Sequence, residues 1–184
     1  MISSKVANRY ASSLLDIALE KNILDTIYKD VILIIDTFDA SNELQRTIVS
    51  PVIKPELKIS ILDELFSKKI GKDTLGFIHF IINKRREEIL YSVAKRFIEL
   101  RNEHLNMVEL DINTAFALSK DQESLLLKKF EGILKRKIIP NFKVDDKLVG
   151  GFVARVGDTV YNASMKHQLE LLKKELIQGG LSLN

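Results

Sequence analysis

The chain contains no cysteine, which excludes disulfide staples, thiolate zinc sites and a cysteine nucleophile and fits a reducing compartment. It also lacks any apolar run near the roughly 18 residues that mark a membrane span. The densest stretches are VILII at 31–35 and FIHFII at 77–82, so the chain reads as soluble or attached through a partner. Charge of one sign is missing too. There are 28 basic against 25 acidic residues, and residues 1–105 and 106–184 are each close to balance, so neither half carries the field of a dedicated nucleic-acid binder. The opening MISSKVANRY has no apolar signal core, and its apolar residues already fall on a helical face; cytoplasmic residence is the default expectation.

Reaction-site motifs are equally sparse. His79, His104 and His167 are far apart in sequence and have no histidine four residues away to share a metal. None of Ser60, Ser92 and Ser124 sits in a Gly-x-Ser-x-Gly elbow. The carboxylate pairs Asp63-Glu64, Glu87-Glu88 and Asp145-Asp146 read as solvated faces. Two basic clusters, Lys84-Arg85-Arg86 and Lys135-Arg136-Lys137, are short and lack interleaved aromatics, so they read as solvated turns, with a nucleic-acid or regulatory binding module as the alternative function. No catalytic, metal or cofactor residue is expected.

What the chain does have is helical periodicity. Val6, Tyr10, Leu14 and Ile17 recur at steps of three and four, with Ala7, Ala11 and Ala18 beside them, which predicts an amphipathic helix from Ser3 to about Glu20 whose alanines admit a close neighbour. A second helix runs through Leu24 to Phe38, and a short one through Glu43–Ile48 stops at SPVIKP. Pro55 suits the first turn of a fourth helix, which Gly71 is expected to end at positive φ. Asp73 is the expected N-cap of a fifth helix through Ile82, and a sixth follows from Glu88 to His104. Phe77, Ile78, Phe80, Ile81 and Ile82 spread around much of the fifth helix. That pattern fits either a groove for a partner helix or burial on several sides.

Near Asn106 the period drops to two. Val108, Leu110 and Ile112 alternate with polar residues, predicting a strand and a domain boundary. Ser119 and Gln122 have capping-box spacing ahead of a helix closed before Pro140, and Phe142–Val144 suits another strand. In LVGGFVARVGDTVYNAS (148–164) no Lys-Ser/Thr pair follows the glycines, so a phosphate loop is disfavoured. Instead Gly150 and Gly151 permit a bulge or tight strand entry, Gly157 and Asp158 turn a hairpin, and a short polar turn follows. A last helix places Met165, Leu169, Leu172 and Leu176 on one face, with Gly179-Gly180 beyond its end and a loose LSLN tail. The expected fold is mainly α: a six-helix bundle over 1–105, then a small α+β domain over 106–184 with a glycine-rich hairpin and a terminal helix.

On VANRYASSLLDIA, SPVIKPELKISILDELF, FIHFIINKRREEILYSVAKRFIEL and VDDKLVGGFVARVGDTVYNASMKHQLELLKKEL, the chain resembles the delta subunit of bacterial F-type ATP synthase, related to the mitochondrial oligomycin-sensitivity-conferring protein. It departs from the usual pattern at Asn162-Ala163-Ser164 and at Thr114-Ala115, and the first departure is expected to alter a local turn. The resemblance implies a noncatalytic stator. Its implied partners are the N-terminal helix of an alpha subunit, held between helices one and five, and the C-terminal end of the b subunit. It places the protein at the cytoplasmic face of the bacterial plasma membrane, touching the membrane only through the complex and binding no nucleic acid. Carried onto this chain, the groove draws on Tyr10, Ala11, Leu14, Phe77, Ile78 and Ile81. On that reading Leu14→Asp or Ile81→Asp leaves the bundle folded and abolishes binding.

Overall fold

A computed structural model describes residues 2–179; Gly180 and the LSLN tail lie outside the described residues. The chain divides into two compact units between His104 and Leu105. Among the described residues it is mainly helical, with eight α-helices and one four-stranded mixed sheet.

The first unit holds α1 (Ile2–Glu20), α2 (Leu24–Ala40), α3 (Asn42–Val49), α4 (Pro55–Phe66), α5 (Lys72–Asn83) and α6 (Leu90–His104), with a 3-10 turn over Glu87–Ile89 ahead of α6. The buried stripe of α1 is Ala7, Ala11, Leu14 and Ala18, so the helix is rotated by about one residue from the expected orientation. Its larger residues Val6, Tyr10 and Ile17 are only half-buried. The reason is close packing against α6: three methyl groups leave room for a neighbouring helix that bulkier side chains would hold off. In α2 the stripe Ile27, Val31, Ile34 and Phe38 is fully inside, as the periodicity predicts.

Gly71 does not end α4. That helix stops at Phe66, and Gly71 has φ −68° and is the N-cap of α5. Asp73 is accordingly inside the first turn. Gly71 has no side chain with which to cap, and the carboxylate comes from α2: Asp30 Oδ2 accepts from Gly71 N–H at 2.9 Å and from Thr74 Oγ1–H at 2.6 Å. A buried carboxylate thus meets the positive end of a helix dipole 41 residues away in sequence.

The second unit runs β1 (Met107–Thr114), α7 (Lys120–Leu134), β2 (Lys137–Val144), β3 (Gly151–Val156), β4 (Thr159–Ser164) and α8 (Met165–Gly179). The sheet order is β2-β1-β3-β4, with β1 and β2 parallel across the α7 crossover and the other pairs antiparallel. The capping box of α7 is fully formed by Ser119 and Gln122. Strand β2 is longer than expected and contains Pro140; it is an edge strand, where a missing N–H costs no ladder bond on the open side. Residues 162–164 are strand and not a turn: Asn162 Oδ1 accepts from Ser164 N–H and Oγ–H, and Ser164 Oγ then accepts from His167 N–H at the start of α8.

Gly157 (φ +54°) and Asp158 connect β3 to β4. Gly151 (φ +81°) lies so close to β4 that a Cβ there would stand 2.2 Å from the Ala163 carbonyl oxygen. Only glycine fits. The core of this unit is small, formed by Leu110, Ile112, Phe130 and Ala154, with Phe152 and Tyr161 edge-on to Phe130 at ring-centroid distances of 6.1 and 5.5 Å.

Candidate functional site

The candidate groove residues separate into two layers. Ala11, Leu14, Ile78 and Ile81 are buried in the core of the first unit and expose no surface to a partner. They face inward because the α5 stripe Thr74, Ile78, Ile81 and Ile82 keeps its helical spacing against the other helices. Tyr10 and Phe77 are half-buried, and Phe80 is 46% exposed. The Tyr10 ring joins the two helices, at 6.5 Å from Phe77 and 6.0 Å from Phe80, within the range of favourable aromatic pairing. Lys84, just past the end of α5, folds back so that its ammonium stands 5.7 Å from the Phe80 ring centroid. An aromatic surface capped by a cation therefore spans α1 and α5. Sequence reading found Tyr10 and Phe77 but assigned Lys84 to a solvated basic turn, because a residue after the helix end has no place in the helical period.

Because Leu14 and Ile81 are 2% and 0% exposed, an aspartate at either position would place a charge in the core. The expectation that such variants stay folded does not survive this burial.

Polar clusters in the first unit are structural in geometry. Lys58 is fully buried and pairs with Glu87. Burial pushes the Glu87 carboxyl up, but the hydrogen bond from Lys58, a backbone hydrogen bond and the charges of Lys58 and Arg85 outweigh it and hold the group below the usual carboxylate range. Arg96 on α6 donates to Asn8 on α1 at 2.8 Å and to Glu99 at 2.6 Å. Arg101 lies 3.8 Å over the Tyr28 ring and 2.9 Å from Asp25, tying α6 to α2. Among the described residues no three His, Asp or Glu side chains converge to hold a metal ion, and no helix is long and apolar enough to cross a membrane.

The second unit presents apolar surface of another kind. Met165, Leu169, Leu172 and Leu176 of α8 are between 50% and 69% exposed, at alternating steps of four and three, the spacing of a coiled-coil seam. The glycines hold this helix in place: Gly150 O accepts from Met165 N–H at 2.9 Å. An open apolar hollow lies between the end of β1 and α7, lined by Phe116, Leu118, Leu125, Leu126 and Phe152. Sequence reading missed it, since Phe116 and Leu118 come from the irregular link between those elements.

Exposed apolar helix surface on both units, with no convergent catalytic or metal-binding cluster among the described residues, is the pattern of a subunit of a larger assembly. The family model for the ATP synthase delta (OSCP) subunit matches residues 6–176, and the chain belongs to that family. It is a noncatalytic component of the peripheral stalk of an F-type ATP synthase. The chain is 36% identical to the ATP synthase subunit delta of Chlorobaculum parvum over 96% of its own length and 98% of the relative's. It is 32% identical to that of Desulforamulus reducens over 96% and 98%. Its fold is similar to that of a chain in the cryo-EM structure of the Toxoplasma gondii mitochondrial ATP synthase hexamer, with a TM-score of 0.70 and 19% identity, covering 93% of this chain and 97% of that one.

Proposed function

We propose that the chain links the catalytic head to the membrane-anchored stalk by two helix-docking surfaces, one on each unit. The first unit, acting as a six-helix bundle over residues 1–105, receives the N-terminal helix of an alpha subunit on the α1/α5 surface. Tyr10 and Phe77 make contact there, while Ala11, Leu14, Ile78 and Ile81 shape the surface from beneath. The domain of residues 106–184 receives the C-terminal end of the b subunit along α8. Gly150, Gly151, Gly157 and Asp158 set the hairpin from which α8 starts. The protein then sits at the cytoplasmic face of the bacterial plasma membrane, attached only through the complex, and holds the head still during proton- or sodium-driven synthesis.

The observation that carries this reading is the partly exposed Tyr10–Phe77–Phe80 surface in a family of stalk subunits. Removing apolar area from water gains roughly 25 cal/mol per Å², which must exceed the entropic costs of association. No proton transfer or bond cleavage is asked of any residue. Calorimetric titration with a synthetic peptide from the N-terminus of the same organism's alpha subunit tests the head contact. One-to-one binding with a negative heat-capacity change is expected; no binding by the folded chain would contradict it.

A further inference from the structure

Gly76 occupies the interior of α5, where glycine is among the least favourable residues. Nothing within the described fold accounts for it. Its backbone is outside the left-handed region, and a Cβ built there would meet no atom within 4 Å. The residue is exposed, and one helical turn further along is Phe80, whose ring packs on Tyr10 of α1. Bare backbone thus lies beside a raised aromatic surface. Gly132 in α7 is a useful contrast, since a Cβ there also meets open space. Its neighbours one turn away, however, are the exposed Lys128, Lys129 and Lys135, which mark a solvated face.

We propose that Gly76 is the crossing point at which the partner helix approaches α5 backbone to backbone, and that Lys84 reads an acidic residue on that helix. This rests on the α1/α5 docking reading and specifies its occupant. Packed helix axes ordinarily stay about 8–10 Å apart, and a glycine at the crossing permits less when the facing residue is also small. Among the described residues Lys84 has no carboxylate partner; its ammonium is held over the Phe80 ring. Phe80 is four residues from Gly76, roughly 6 Å along the axis. The occupant is therefore an amphipathic helix with a small residue at the crossing and an Asp or Glu about one turn away from it on the same face.

The test is calorimetric titration of the full-length chain and its variants with the same synthetic alpha peptide, paired with thermal unfolding. Gly76→Ala is expected to raise Tm by about 3–6 °C, through helix propensity, and still to weaken binding about tenfold. Gly76→Leu should stay folded and weaken binding at least a hundredfold. Gly132→Ala should stabilise similarly and leave binding unchanged. Lys84→Glu should weaken binding about tenfold and be rescued by a peptide whose acidic residue is changed to lysine. If the wild-type chain binds and Gly76→Leu binds equally well, the crossing-point inference falls while the docking surface stands. If Lys84→Glu binds unchanged, the acidic-residue assignment falls. If the folded wild-type chain does not bind, the docking reading falls and takes the inference with it.

Discussion

The two units reach stability by different routes. Among the described residues, twenty buried apolar side chains form one cluster in the first unit, but only four do so in the second. The exposed large apolar residues are distributed the opposite way: Val49, Val52, Leu57 and Phe80 in the first unit, against the α8 stripe, Phe116, Leu125, Ile133, Val144, Val149 and others in the second. A unit of about 80 residues with so small a core lies near the margin of independent stability. The first unit buries most of its apolar side chains against one another, whereas the second leaves many of its own in water, the surface on which the proposed stalk contact rests.

The sharpest way to break this contrast is to place a charge in each unit. Leu14→Asp or Ile81→Asp should cost more than about 4 kcal/mol and abolish cooperative unfolding of the first unit, because the carboxylate has neither water nor a partner there. Circular dichroism with amide NMR would show it. A variant that remained folded would mean the buried stripe is less tightly packed than the burial of Leu14 and Ile81 indicates.

The Lys58–Glu87 pair comes next. Glu87→Gln strands a buried ammonium and should cost about 3 kcal/mol at neutral pH, read as a lower denaturant midpoint. The sign with pH follows from the lowered Glu87 pKa. Its contribution is complete above the ordinary carboxylate value and is lost as pH falls through the lowered folded-state value. The stability gap between wild type and Glu87→Gln should therefore begin to narrow only once pH drops below the ordinary carboxylate value of about 4, and close as pH falls through the lowered folded-state value. A difference that stayed constant with pH would remove Glu87 ionisation from the account.

Asp30→Ala should cost about 2 kcal/mol by leaving the Gly71 N–H and the Thr74 hydroxyl without their acceptor, with the first turn of α5 fraying first in hydrogen exchange. The smallest effect on stability is expected in the second unit. Leu172→Asp on α8 should change it by no more than about 0.5 kcal/mol, yet abolish binding of a peptide from the C-terminal end of the b subunit. Strong destabilisation by Leu172→Asp would show that α8 is core and not a docking surface.

These expectations also show what the sequence made legible. Helix positions followed from period and punctuation, because each helix has an apolar stripe long enough to register. The α7 capping box followed from the Ser119–Gln122 spacing, and the β1 strand from its alternation. Long-range choices left no local trace. The cap on α5 comes from Asp30 in another helix, and Pro140 is acceptable only because β2 ends up on a sheet edge. Alanine and tyrosine exchanged places on α1 because hydrophobicity alone cannot tell which side a close neighbour will choose. At the candidate site the spacing picked out Tyr10 and Phe77 on two helices whose rings the fold does bring together. It could not separate the buried Ala11, Leu14, Ile78 and Ile81 from the half-exposed Tyr10 and Phe77, since both sets are apolar and share helical register.

The contrast between a unit that buries its apolar side chains and one that leaves many in water for the proposed stalk contact is tested most directly by amide hydrogen exchange on the full-length chain, with and without that peptide from the end of the b stalk. The account predicts that exchange across residues 165–177 slows at least tenfold on binding, while the buried amides of α1, α2 and α6, already protected, remain unchanged. Residues 165–177 as well protected in the free chain as the α6 core, or protection gained in the first unit instead, would contradict it.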